Sequence, residues 1–277
     1  MEDRIETTGN GSIIQHGKLN NRIYLIKLAK EDCPSIISFL SELARENNYT
    51  KLFCKIPAWA APYFFADGYL TEAIIPGFFQ GKEAVFFLAK YLDSDRFLEF
   101  EKDRLREFSG LLEASQKKDK LPNEGTVEVK PLDASDVVQI SELYRKVFRT
   151  YPFPIHNQGY IQKTMEENVK YYGVKKNKKL IAVASAEIDL KGQNAEMTDF
   201  ATNPGYRGLK LGQRLLSRME KEMKAIQIST LYTMARLQSI PMNKVFLRYQ
   251  YHYAGTLIKN TNISGSIESM NVLYKHI

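Results

Sequence analysis

One segment, residues 198–216, constrains the fold of this chain more than any other. It joins an apolar strand to a long amphipathic helix through the turn Pro204-Gly205 and the run Arg207-Gly-Leu-Lys-Leu-Gly212. The first amides of a helix have no partner within the helix, and the helix dipole adds positive charge at that end. A glycine-bearing turn at such a helix start is therefore suited to a phosphate group. The segment predicts an α/β fold with a phosphate-binding turn, assisted by Lys210 and Arg214.

The elements around this segment predict a mixed sheet. From residue 126 onward, hydrophobic periodicity indicates strand, helix, helix, three strands, helix, strand, helix and two strands. The strand Ala195–Thr202 leads into the turn, and the helix Lys210–Ile226 follows it. The fold class expected from this order is α/β, with a mixed (α+β) sheet and helices packed against it.

Composition narrows the classes of partner. The chain has 277 residues, 44% of them hydrophobic, which is typical of a globular protein. The net charge of +7 favours a polyanionic partner. The basic residues are scattered among acidic ones, however, so we expect no nucleic-acid partner. Prolines and acidic residues interrupt the apolar stretch from Ile56 to Phe79, so we also expect no membrane span. Cys33 and Cys54 match no metal-ligand or disulfide spacing. We expect a cytoplasmic protein without a metal, and leave homodimer formation open.

The segment 198–216 resembles the acetyl-CoA-binding motif of the GNAT superfamily of N-acetyltransferases, in which Arg/Gln-x-x-Gly-x-Gly/Ala follows the central strand. Arg207 takes the first position of the motif and Gly212 the last. Lys210 stands where the family usually has its middle glycine, and it can offer its amide to a phosphate if its φ is negative. The resemblance implies a GNAT acetyltransferase fold with acetyl-CoA as cosubstrate. The cofactor-binding residues that it implies are Phe200, Ala201, Thr202, Arg207, Gly208, Leu209, Lys210, Leu211, Gly212 and Asn243.

The C-terminal part resembles a narrower family, the β-lysine N-acetyltransferases. The segments that carry this resemblance include Tyr232–Arg236, Asn260–Ile263 and Ile267–Val272. The resemblance extends over the whole chain and is strongest after residue 195. It implies transfer of an acetyl group to a primary amine of β-lysine, by direct attack in a ternary complex, to give the compatible solute Nε-acetyl-β-lysine. Two alternatives stay open: a GNAT enzyme acting on another small or protein amine, and a non-catalytic acyl-CoA sensor.

The reaction needs a base, because an alkyl ammonium group must lose a proton before it can attack a thioester. Glu196 lies six residues before Thr202, where those GNAT members that use a catalytic glutamate have it, so we predict it as the base. Backbone amides of residues 200–202 are expected to bind the carbonyl oxygen. Many members use a tyrosine as general acid at the position of Phe246; Tyr249 is either its substitute or a core residue.

A diamino acid also needs polar groups that hold its amines and its carboxylate. Asp199, Glu268 and Asn271 are the predicted substrate-binding residues, and Arg149 or Arg236 is expected to hold the carboxylate. In a regular strand Asp199 and Glu196 point to opposite faces, whereas a bulge between them would put both on one face.

The N-terminal part repeats the order of the C-terminal elements. Residues 21–92 predict strand, helix, strand, short helix and hairpin, with Phe64 and Tyr69 in place of Phe246 and Tyr251. No glycine-bearing phosphate loop accompanies this copy. We therefore expect residues 1–120 to form a degenerate GNAT-like domain without a cofactor loop, and residues 121–277 to form the catalytic domain; chance similarity is the alternative. Residues 1–20 are predicted to be a frayed terminus, 96–112 a single helix and 115–125 a linker.

Overall fold

The structure, a computed structural model, describes residues 3–99, 101–115 and 128–277. The N-terminal half, residues 3–99 and 101–115, carries the strands β1 (Arg4–Thr8), β2 (Ser12–Gly17), β3 (Arg22–Lys27), β4 (Lys51–Pro57), β5 (Leu70–Phe79) and β6 (Glu83–Tyr91). Its helices are α1 (Ser35–Asn47), α2 (Ala61–Ala66), α3 (Ser94–Phe97) and α4 (Lys102–Ser115).

The C-terminal half, residues 128–277, carries the strands β7 (Lys130–Leu132), β8 (Val169–Lys176), β9 (Lys179–Asp189), β10 (Asn194–Thr202), β11 (Thr230–Arg236), β12 (His252–Ile263) and β13 (Ser266–His276). Its helices are α5 (Val137–Val147), α6 (Gln158–Glu167), α7 (Leu211–Ala225) and α8 (Ile240–Arg248). Helix α7 buries one apolar stripe, which includes Leu215, Leu216 and Met219, against β8 to β10.

All the strands belong to one mixed sheet, in the order β1-β2-β3-β4-β6-β5-β12-β13-β11-β10-β9-β8-β7. The two halves join edge to edge where Gly255 of β12 pairs with Ala73 of β5. Gly255 has a φ of +150°, and a Cβ atom at this position would collide with the carbonyl oxygen of Glu72. This junction requires glycine, because no other residue allows the two backbones to approach so closely.

The two halves repeat one topology. The order β1-β2-β3-β4-β6-β5 corresponds to β8-β9-β10-β11-β13-β12, and each half has one parallel pair, β3 with β4 and β10 with β11. The rings of Phe64 and Tyr69 make an edge contact with centroids 5.1 Å apart, and those of Phe246 and Tyr251 make the same contact at 5.0 Å. The correspondence noted in the sequence therefore extends to the packing of these pairs.

One face of the N-terminal half packs against the same face of the C-terminal half. Tyr24, Phe53 and Phe87 form an aromatic cluster with Tyr232 of β11. Polar contacts border this cluster: Lys51 Nζ donates a hydrogen bond to the carbonyl oxygen of Ile258 at 2.7 Å. The sheet therefore curls, and the two halves enclose a shared interior.

Three of the local predictions need correction or comment. Of the terminus predicted to be frayed, the described residues 3–20 are folded, because Arg4–Thr8 and Ser12–Gly17 form a hairpin that extends the sheet and buries Ile14. The helix predicted over 96–112 is interrupted, since α3 ends at Phe97 and α4 begins at Lys102. The predicted linker and domain boundary lie mostly outside the described residues. Within the residues described, no helix is both long enough and apolar enough to cross a bilayer.

Candidate active site

The strands β10 and β11 separate in the middle of the sheet. They pair over Asn194–Glu196 and Thr230–Tyr232, and beyond these residues each strand continues without pairing to the other. A cavity of about 730 Å³ opens between the diverging strands and the starts of α7 and α8. Such a gap between two parallel strands that end beside a helix start gives an extended ligand access to the centre of the sheet.

The wall of the cavity on the α7 side has the geometry of an anion site. No side chain caps the first turn of α7. The first amide bonded back into the helix is that of Arg214, which donates to the carbonyl of Lys210 at 3.2 Å. The amides of residues 211–213 therefore precede the first intrahelical donor, have no acceptor within the helix, and belong to residues that line the cavity.

Lys210 has a φ of +57°, and Gly208 in the same turn has a φ of +84°. The negative φ considered for Lys210 is thus wrong: the lysine adopts the left-handed conformation that favours glycine. This conformation costs a non-glycine residue roughly 1–2 kcal/mol. Lys210 is one of the residues that line the cavity, so a lysine in this strained position is consistent with a use for its positive charge there.

Basic side chains surround the mouth of the cavity. Arg207 and Lys210 line it from the turn before α7, and Lys244 and Arg248 line it from α8. The helix start and these cations together fit a ligand with several phosphate groups.

The predicted cofactor residues divide into two groups. The cavity is lined by Phe200, Thr202, Arg207, Gly208, Lys210, Leu211 and Gly212. Ala201 is instead buried against the α5 side of the sheet, and the Leu209 side chain is 53% exposed. Asn243 is fully buried, and its amide donates to the carbonyl oxygens of Arg236 and Ser239. These bonds replace the ligand contact expected of Asn243 with a structural role, in which it joins α8 to the end of β11.

At the inner end of the cavity, a bulge interrupts β10. The register with β9 shifts between Thr198 and Ala201, and Asp199 has a φ of +56°. The carboxylate of Asp199 accepts hydrogen bonds from Ser185 Oγ at 2.6 Å and from the Tyr151 hydroxyl at 2.5 Å. Burial raises the pKa of Asp199, while these two hydrogen bonds oppose the rise.

Glu196 lies on the same face of the sheet as Asp199. It pairs across the strands with Glu187, two residues along β9 from the Ser185 that holds Asp199. The bulge thus produces the arrangement in which both carboxylates share one face. Glu196 is 8% exposed, and burial raises its pKa to about 7, opposed by the Lys55 ammonium and by a hydrogen bond from the Tyr232 hydroxyl. Glu196 is not among the residues that line the cavity, whereas Thr198 and Asp199, which follow it on β10, are.

Tyr151 is a site residue that was not singled out from the sequence. Its hydroxyl donates to Asp199, and its side chain lines the cavity. The available signal was the loop Tyr-Pro-Phe-Pro at 151–154, in which the two prolines exclude both a helix and strand pairing. Phe246 forms part of the cavity wall, in edge contact with Phe200. Tyr249 is buried in the hydrophobic core and is not part of the lining, which favours the core reading of this residue.

The remaining predicted substrate residues are bound to one another. Arg236 donates to both carboxylate oxygens of Glu268, at 2.9 and 2.6 Å, so these two candidates neutralise each other. Asn271 is fully buried, donates to Asn243 Oδ1 and accepts from Thr256 Oγ1. These contacts replace the ammonium-binding role expected of Asn271 with a structural one. Arg236 lines the cavity, whereas its partner Glu268 is not among the lining residues that the structure describes.

Replacing Lys210 with glycine distinguishes the role of the left-handed backbone in this turn from the role of the lysine charge. We expect Lys210→Gly to keep the left-handed turn, to leave stability unchanged or raise it by up to about 1 kcal/mol, and to weaken acetyl-CoA binding about 10-fold. Isothermal titration with acetyl-CoA and thermal unfolding measure the two effects. Lys178→Gly is the matched control, because Lys178 also has a positive φ, of +63°, but lies in the exposed turn between β8 and β9. Equal affinity of both variants would exclude a phosphate contact from Lys210.

Comparison with known proteins agrees with this geometry. Residues 137–246, which include β10, α7 and most of α8, match the acetyltransferase (GNAT) family model. A curated relative, the β-lysine N(6)-acetyltransferase of Methanococcus maripaludis, is 37% identical over 99% of this chain and 99% of its own length. The N-acetyltransferase YodP of Bacillus subtilis is 32% identical over the full length of both chains.

A third relative, the β-lysine N(6)-acetyltransferase of Methanosarcina mazei, is 32% identical over 74% of this chain and 83% of its own length. The matches with the first two relatives include the N-terminal half, so the similarity is not confined to the acetyl-CoA motif. The chain belongs to the GNAT acetyltransferase family and is an acetyl-CoA-dependent N-acetyltransferase.

Proposed function

We propose that the enzyme acetylates β-lysine on its terminal amine, forming Nε-acetyl-β-lysine by direct attack of the amine on acetyl-CoA in a ternary complex. One observation carries the proposal: the gap between β10 and β11 has a basic mouth at one end and the Asp199 carboxylate at the other, with Glu196 on the same strand and the same face as Asp199. The first end suits the phosphates of the acetyl donor, and the second suits a cationic acceptor. Two of the three relatives, one of them matched over its full length, bear the name β-lysine N(6)-acetyltransferase.

In this proposal the α7 start and the cations of the mouth hold the diphosphate of the donor, which directs its thioester along β10. Backbone amides at residues 200–202 stabilise the oxyanion that develops on the carbonyl oxygen. Asp199 and Glu196 attract the ammonium group of the acceptor. Glu196 then takes its proton, directly or through one water molecule. A bond forms from nitrogen to the acetyl carbon, the carbon–sulfur bond breaks, and the thiolate of coenzyme A leaves.

The acceptor is tested with a panel of amines at a fixed acetyl-CoA concentration, following the release of free thiol. The panel contains β-lysine, α-lysine, spermidine and a lysine-bearing peptide. We expect the highest kcat/KM with β-lysine, and a product whose mass fragmentation places the acetyl group on the terminal nitrogen. A preference for the peptide or spermidine would contradict the proposed acceptor. Saturable acetyl-CoA binding without thiol release for any amine would support the acyl-CoA sensor.

A further inference from the structure

Beneath the carboxylate end of the cavity, a lysine of the N-terminal half reaches a residue of the C-terminal half. Lys55 lies on β4, and its Nζ atom is 3.2 Å from the hydroxyl oxygen of Tyr232 on β11. The same ammonium group lies 5.6 Å from the centre of the Tyr232 ring. In the sheet, β4 and β11 are separated by four other strands, so this contact exists only because the sheet curls.

The contact continues from Tyr232 to Glu196. The two residues are paired across β10 and β11, at the last position before these strands diverge, and the Tyr232 hydroxyl hydrogen-bonds to the Glu196 carboxylate. Tyr232 is 3% exposed and packs against Phe78 and Phe87, which fix its ring. Among the described residues, no carboxylate lies in ion-pair contact with Lys55. The charge of Lys55 therefore acts on Glu196 across the hydroxyl of Tyr232.

We propose that Lys55 is a positioning residue for Glu196: through the Tyr232 hydroxyl it orients the Glu196 carboxylate and holds it in the ionised form that can accept a proton. The N-terminal half, which lacks a cofactor loop, thereby supplies part of the active site. This inference rests on the proposed role of Glu196 as the base.

The need for a cation follows from the groups around Glu196. A buried carboxylate among other carboxylates is unfavourable unless a positive charge compensates. The titratable or charged groups that face Glu196 are Lys55 from β4, Tyr24 from β3, Glu187 from β9, Asp199 from β10, Tyr232 from β11 and Tyr151 from the loop before α6. In this set the single cation is Lys55.

The test compares the pH dependence of kcat/KM for Lys55→Met and Lys55→Arg, with any amine that the enzyme acetylates. A base is active when deprotonated, so activity rises with pH through the pKa of Glu196. We call this rise of activity with pH the acidic limb of the profile. Without the Lys55 charge we expect the acidic limb to move to higher pH by about one pH unit. At a pH below the limb, kcat/KM should then fall about 10-fold. Lys55→Arg is expected to restore the wild-type limb, and the KM for acetyl-CoA is expected to stay constant.

Three further variants make the test decisive. Lys82→Met removes the same charge from the exposed turn between β5 and β6 and should leave the limb in place. If Lys55→Met fails to fold, as judged by acetyl-CoA binding, Tyr232→Phe keeps the aromatic packing and should also move the limb upward. A limb that disappears in Glu196→Gln but stays fixed in Lys55→Met or Tyr232→Phe would overturn the inference alone. A limb that persists in Glu196→Gln would overturn the proposed base itself.

Discussion

Gly212→Glu is expected to abolish acetyl-CoA binding. Gly212 lies in the first turn of α7 and lines the cavity, and its Cα faces Met242 of α8. A Cβ atom would lie 3.4 Å from the Met242 sulfur, which is an ordinary contact, so the folded structure tolerates a side chain here. The carboxylate of the substituted side chain, however, would repel the phosphate groups of acetyl-CoA. Two unit charges 4 Å apart repel by about 4 kcal/mol near a protein surface, which corresponds to about 1000-fold in affinity.

The measurement is a calorimetric titration with acetyl-CoA, together with thermal unfolding to verify the fold. Ala225→Glu serves as the matched control, since it adds the same charged side chain to the exposed C-terminal end of the same helix. We expect the control to bind acetyl-CoA like the wild type. Tight binding by a folded Gly212→Glu protein would exclude the start of α7 as the phosphate site.

Glu196→Gln is expected to lower kcat at least about 100-fold, because general base catalysis typically contributes a factor of this size or more. Acetyl-CoA affinity should change little, since Glu196 is not among the residues that line the cavity, whereas the cations of the mouth are. Glutamine has nearly the shape of glutamate and accepts the Tyr232 hydrogen bond, so the packing around β10 and β11 should persist.

The pH dependence gives an independent readout for the same residue. Burial raises the pKa of Glu196 to about 7, above the ordinary range of a glutamate. A base with this pKa is protonated and inactive at pH 5 and deprotonated at pH 9. Wild-type activity should therefore rise through about pH 7, and Glu196→Gln should lack this limb. A wild-type rate in Glu196→Gln across the pH range would assign proton removal to another group. Glu166→Gln, on the exposed side of α6 and away from Glu196, is the matched control for exchange of a glutamate.

The fold could be predicted from the sequence where hydrophobic periodicity and the residues of the turns indicate the same element. The helix predicted over Lys210–Ile226 is observed as α7 (Leu211–Ala225), and the order of elements predicted after residue 126 is the observed order from β7 to β13. The hairpin of β1 and β2 was not predicted, because its polar residues show no apolar alternation. Its buried polar groups find their partners elsewhere in the fold: Asp32 accepts hydrogen bonds from Ser12, and Tyr49 bonds with His16.

The candidate site was less accessible to sequence reasoning, because long-range pairing decides which polar side chains remain available. Asn243 and Asn271 carry groups that suit a ligand, but they bond to each other. Arg236 and Glu268 have the charges of a substrate site, but they form an ion pair across β11 and β13. The bulge at Asp199 was only an alternative in the sequence. The Lys55–Tyr232 contact depends on the curl of the sheet, which no local pattern encodes.

The edge-to-edge junction at Gly255 also decides how the chain can be divided. Excising residues 128–277 as a separate catalytic fragment would turn β12 into an open edge strand and expose the inner face with Met270 and Val272 to water. An open edge next to apolar side chains is a starting point for self-association. The fragment would carry the whole acetyl-CoA motif and still lack Lys55. Engineering of acceptor selectivity should therefore retain both halves of the chain and vary residues on both sides of the buried contact between them.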